Sequence, residues 1–166
     1  MKISKLRLKN IRCFKDIELS FEDNEGKVKD WSLIVGNNGQ GKTTILRSLA
    51  VGLCDKEGAS ALLSELYGFL RQDEDSGSIE ICLEDEDDKY TIKTHIEGEN
   101  ESISQDVLEG DCVNKENTNE IKDFEREKIF AVAYGAGRSV EGDISYQEYA
   151  LVDSLYTLFK YDYPLQ

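Results

Sequence analysis

Between residues 36 and 44 the chain reads Gly-Asn-Asn-Gly-Gln-Gly-Lys-Thr-Thr, which fits the phosphate-loop pattern G-x-x-x-x-G-K-[ST]. Each residue type has a chemical task at that spacing. Gly36, Gly39 and Gly41 permit backbone conformations and close approach that a Cβ would resist, so successive N–H groups can converge on a β-phosphate. Lys42 brings a mobile positive charge to the β- and γ-phosphates, and the Thr43 hydroxyl is spaced to ligate Mg2+. Thr43 and Thr44 open a helical pattern whose positive end adds to the attraction for an anion. The motif implies nucleotide and Mg2+ binding, against the plainer reading of a glycine-rich turn before an ordinary helix.

Hydrolysis asks for more. A P-loop ATPase also needs an acidic residue at the end of an apolar strand and a group to orient the attacking water. After residue 44 no apolar run ends in Asp-Glu; the comparable run, Ile129 to Gly135, ends without a carboxylate. The carboxylates at 85–88 follow no buried-strand pattern and read as a solvated loop. Guanine recognition has the pattern Asn-Lys-x-Asp, which the polar stretch Asn114-Lys115-Glu116-Asn117 does not complete, so ATP is the expected nucleotide. A self-sufficient small kinase is disfavoured because residues 73–127 are acidic where a phosphate-covering lid is rich in arginine.

The elements that would position the loop are legible as hydrophobic periods. Residues 3–21 alternate apolar with polar and predict two strands joined near Lys9–Cys13; residues 22–30 predict a turn. Trp31–Val35 is a short apolar run that suits a central strand covered on both faces. Ile45, Leu46, Leu49, Ala50 and Leu53 form one helical stripe ending near Cys54, and residues 58–71 predict a second helix. Residues 78–84 and 90–96 alternate on either side of an acidic turn and predict a hairpin. Residues 97–127 read as a polar, acidic insertion, 128–138 as a buried strand ending in a glycine-rich turn, and 145–161 as a helix. The sum is an α/β fold with a mixed sheet, in a single unit spanning residues 1–166.

Charge narrows the partners. The chain has 34 acidic against 20 basic residues, a net charge of −14, with 20 of the acidic residues and only 5 basic ones in 73–127. Lys2, Lys5, Arg7, Lys9, Arg12 and Lys15 stand at the start without an acidic residue among them. They read either as a strand face near a polyanion such as DNA or as the solvated ends of an edge hairpin. No apolar run is long enough to span a membrane, and the start lacks a secretory signal pattern. Cys13, Cys54, Cys82 and Cys112 are widely spaced, which suggests neither a zinc site nor a redox pair and fits the cytoplasm.

Two stretches, Ile3–Phe21 and Leu33–Ala50, resemble the first hairpin and Walker A region of ABC-type ATPase heads of the RecF, SMC and Rad50 group. Val132–Arg138 with Leu155–Gln166 is similar to a bacterial branch of ATP-binding proteins linked to anti-phage defence or DNA repair. The resemblance implies a P-loop NTPase of the ABC-ATPase type, of which this chain is the N-terminal lobe. It implies that hydrolysis needs a C-terminal half and a second head, as a homodimer or higher oligomer, with a nuclease and DNA as further partners. It also implies that Asn37, Asn38 and Gln40 line the loop, that Arg12 approaches the phosphates, and that Gln147 links Mg2+ to the attacking water, while Arg138, after two glycines at a strand end, reads as a structural or phosphate-facing residue. The surroundings of Gln147 follow no clean strand-to-loop pattern and favour an exposed helix residue, and Arg138 equally reads as a surface arginine. The competing functional class is a nucleotide-dependent interaction module without significant turnover.

Overall fold

The alternation at the start of the chain builds strand β1 (Lys2–Ile11), which sends Ser4, Leu6 and Leu8 inward. A two-residue turn at Arg12 and Cys13 leads into β2 (Phe14–Ser20), paired antiparallel with β1. The computed structural model describes residues 1–66, 68–85, 88–98 and 100–110, with Phe124, Ile129, 131–133, Leu155, Leu158 and Phe159. Beyond the hairpin come helix α1 (Lys42–Leu53), helix α2 (Lys56–Ser64), and strands β3 (Ser76–Asp85), β4 (Asp88–Glu97) and β5 (Ser102–Glu109). The strands form one sheet in the order β2-β1-β3-β4-β5, with every described pair antiparallel.

One face of the sheet is apolar and carries the helices. Leu6, Leu8, Ile79, Ile81, Ile92, Ile96, Ile103 and Val107 pack with Ile45, Val51, Leu53, Leu62 and Leu63 in one core. Burying each such side chain stabilises the fold by about 1.5–3 kcal/mol. At Gly52 the α1 backbone comes so close to the sheet that a Cβ would lie 2.6 Å from Cδ1 of Ile81. Gln105 ties the end of that helix to the sheet, donating Nε2 to the Cys54 carbonyl at 3.0 Å and to Thr94 Oγ1 at 2.9 Å.

The opposite face is a charge ladder. Glu18, Arg7, Glu80, Lys93 and Asp106 stand side by side across the five strands with alternating sign. Lys93 pairs with Glu80 at 3.1 Å, and Arg7 makes a two-pronged bond to Asp16 at 3.1 and 3.0 Å. Lys2 and Lys5 likewise meet Asp30 and Glu22. Three of the six basic residues at the start are thus neutralised locally, which favours the solvated hairpin over a basic strand face.

The α/β architecture, the first hairpin, α1 and the β3–β4 hairpin follow the sequence expectation. Four differences stand out. Trp31–Val35 forms no strand: its backbone pairs with no described neighbour, and Trp31, Leu33 and Val35 are 79%, 75% and 82% exposed. The second helix starts earlier, because Asp55 caps it by accepting from the Gly58 N–H at 2.7 Å, and it ends at Ser64. Gly68 then takes φ +63°, and the chain turns so that Leu70 bridges to Ile11. Within the acidic stretch 97–127, residues 102–109 form β5, with Ile103 and Val107 inward. Cys82, buried in β3, is disulfide-bonded, which the cysteine spacing did not suggest, whereas Cys13 and Cys54 are not disulfide-bonded. Ile129, Ala131 and Ala133 pack against the core, and Leu155 is buried within it. Among the described residues no helix is long and apolar enough to cross a membrane.

Candidate phosphate-binding site

The loop of residues 36–41 leads directly into α1, whose N-cap is Gly41 and which has no side-chain cap. An uncapped helix start leaves the N–H groups of its first turn without intrahelical acceptors, with the positive end of the helix dipole behind them. Here those are the N–H groups of Lys42, Thr43 and Thr44, the residues that the motif assigns to phosphate and metal. Gly39 and Gly41 adopt φ +82° and +86°, a region costly for residues with a Cβ. The local sequence therefore dictates the bend that leads into the uncapped start of α1.

Lys42 folds back over the loop. Its Nζ donates to the carbonyls of Gly36 at 2.6 Å and Asn37 at 2.7 Å. Asn37 is held a second time, its N–H donating to Oε1 of Gln40 at 2.9 Å. Asn37, Asn38, Gly39, Gln40 and Thr43 are exposed, whereas Thr44 is buried beneath the helix start. The charge, the uncapped N–H groups and the exposed Thr43 hydroxyl fit a Mg2+-bound polyphosphate. Among the described residues no group of three or more His, Cys, Asp or Glu side chains is placed to hold a metal. On this part of the chain the exposed Thr43 hydroxyl is a group that could hold the metal.

Behind the loop stands the turn between β1 and β2. A Cβ on Gly41 would lie 2.7 Å from Cys13 Sγ and would overlap the Phe14 ring. That contact is not readable from the motif. The turn is itself anchored: Arg12 has φ +43°, and its Nε donates to the Gly68 carbonyl at 3.1 Å with the guanidinium 5.9 Å from the Phe69 ring centre. Arg71 donates to the Cys13 carbonyl at 3.1 Å. Glu101, from the turn between β4 and β5, accepts the N–H groups of Phe69 and, at 2.8 Å, Leu70. Sequence reasoning singled out Arg12 but missed Cys13, Phe14, Arg71 and Glu101, because residues so far apart in the chain meet only through the sheet.

The structure therefore gathers Gly36 through Thr44 into one loop and helix start, with the Arg12 turn beside it. Arg138 and Gln147 lie outside the described residues.

Comparison with known proteins identifies the family. Residues 1–139 match the family described as AAA ATPase domain. Proteins named DNA replication and repair protein RecF, from Bacillus cytotoxicus and Bacillus thuringiensis, are each 33% identical over 109 residues. Those alignments cover 66% of this chain but 27% of the relatives, so the chain spans about a quarter of their length. With its phosphate loop, helix and supporting sheet all within the matched region, the chain belongs to the AAA ATPase domain family.

Proposed function

We propose that this chain is the ATP- and Mg2+-binding lobe of an ABC-type ATPase head of the RecF, SMC and Rad50 group. The observation that carries this reading is the pairing of an uncapped α1 start with a Lys42 side chain already drawn over the loop. In it, Lys42 engages the β- and γ-phosphates and serves catalysis, while Gly36, Asn37, Asn38, Gly39, Gln40, Gly41, Thr43 and Thr44 shape and line the phosphate cradle. Thr43 would hold Mg2+ in this lobe, and the metal would supply charge neutralisation for the phosphates. Arg12 and Arg138 are assigned to the phosphate side, and Gln147 to the metal and attacking water.

Hydrolysis in this reading requires a C-terminal half and a second head. The exposed apolar strip of Trp31, Leu33 and Val35 supports an architecture in which further structure covers the lobe, since contiguous apolar surface marks interaction sites. The name of the RecF relatives, DNA replication and repair protein, supports a setting in DNA repair, while phage defence and DNA or a nuclease as partner rest on the resemblance of Val132–Arg138 and Leu155–Gln166.

Calorimetric titration with ATP and Mg2+ tests the lobe. The 166-residue chain is expected to bind ATP and to turn it over negligibly, and Lys42→Ala to weaken binding by about tenfold or more, the scale of one lost charge-assisted bond. Equal affinity in Lys42→Ala would overturn the assignment of Lys42. Robust turnover by the chain alone, lost in Thr43→Ala, would overturn the requirement for a second half.

A further inference from the structure

We propose that Gln40 is a positioning residue that braces the phosphate loop before nucleotide arrives, and that Gly36 is glycine in order to seat the Gln40 amide. This rests on the phosphate-binding reading of the loop and gives two of its residues separate tasks.

Asn37 and Gln40 are tied twice. The Asn37 N–H donates to Gln40 Oε1 at 2.9 Å, and the Gln40 N–H points back to the Asn37 carbonyl at 3.4 Å. That carbonyl is also one of the two acceptors of Lys42. Lys42 must redirect donors to meet a phosphate, whereas the side-chain bond of Gln40 is independent of Lys42 and can persist. Gln40 is exposed, so core packing does not explain its conformation.

Gly36 supplies the second observation. Unlike Gly39 and Gly41, it is not among the glycines with positive φ, so conformational freedom is not what its position demands. A Cβ there would lie 2.9 Å from Gln40 Oε1, and its three nearest heavy atoms would all belong to Gln40. The missing side chain thus makes room for the brace.

The test follows the Asn37 amide by NMR hydrogen exchange in the nucleotide-free chain, alongside calorimetric titration with ATP and Mg2+. Gln40→Ala should speed Asn37 exchange about fivefold, and weaken ATP binding by a similar factor, the scale of one ordinary hydrogen bond. Gln40→Glu keeps an acceptor and should restore the exchange protection. Gly36→Ala should weaken ATP binding when Gln40 is present but add little in the Gln40→Ala background, because coupled residues are non-additive. Unchanged Asn37 exchange in Gln40→Ala, or an equal cost of Gly36→Ala in both backgrounds, overturns the proposal. If the wild-type chain binds no ATP, the nucleotide reading fails, while the exchange measurement still decides whether Gln40 braces the loop.

Discussion

Glu101 illustrates how a single carboxylate can act at a distance from the loop it serves. Its Oε1 accepts both the Phe69 and the Leu70 N–H, and the segment it fixes receives Arg12 through the Gly68 carbonyl and the Phe69 ring. Arg71, next in that segment, holds the Cys13 carbonyl, and Cys13 abuts Gly41. Removing the acceptor leaves two part-buried N–H groups unsatisfied. Glu101→Ala is therefore expected to destabilise the fold by about 1–3 kcal/mol, read as a lower urea midpoint at unchanged slope. A stability equal to wild type would show that the 69–71 segment is anchored without it.

At the scale of elements, the close approach of α1 to the sheet decides where the loop sits. Gly52 lies over Ile81 and Ile79, with room for no side chain of its own. A leucine there must displace the helix or the strand, and overpacking of this kind costs about 1–3 kcal/mol. Gly52→Leu should lower the melting temperature, and because α1 carries Lys42 and Thr43 at its first turn it should weaken ATP binding as well. A loss of stability with unchanged ATP affinity would mean that the two ends of α1 respond independently. The segment of Trp31 to Val35 makes a contrasting case. Its apolar composition suits a central strand, but a strand exists only where a ladder partner is supplied, and none of the described residues supplies one.

For the whole molecule, two properties follow from what is exposed. Trp31 is the only tryptophan, and at 79% exposure its fluorescence should be red-shifted and readily quenched by iodide. Shielded emission from the isolated chain would contradict the open strip, and in the proposed head the quenching should fall once the remaining half is added. The second property is acid sensitivity. The carboxyls of Asp16, Asp23 and Asp30 are held below their usual 3.8, by the hydrogen bond from Arg7, by the backbone N–H groups of Lys27 and Glu25, and by Lys2 respectively. A depressed folded pKa means that the unfolded chain binds the proton more readily. Their contribution is thus fully present above pH 3.8 and fades as the pH falls through the lower folded values. Thermal melts between neutral pH and pH 2.5 should show the loss, and Asp23→Asn should make it shallower; an unchanged profile would remove Asp23 from the account. High salt should reduce the share of the exposed Asp16 and Asp30 pairs, because surface ion pairs are screened.

The local chain by itself determined the phosphate loop, since Gly39, Gly41 and Lys42 act on their immediate neighbours through backbone sterics and short hydrogen bonds. It also determined β1, β2, α1 and the β3–β4 hairpin, whose hydrophobic periods of two and 3.6 residues are written within single segments. What it left open was set by contacts between distant segments. β5 was hidden because its polar positions match a solvated loop until Ile103 and Val107 find the core. The second helix stops where Leu70 is drawn to Ile11, a bridge across 59 positions that no local period encodes. The wall behind Gly41, and the chain of Arg12, Arg71 and Glu101 that supports it, likewise arises because the sheet brings the β1–β2 turn to the loop. Local sterics could write the cradle into nine consecutive residues; what stands behind that cradle depended on which remote surfaces could be buried together.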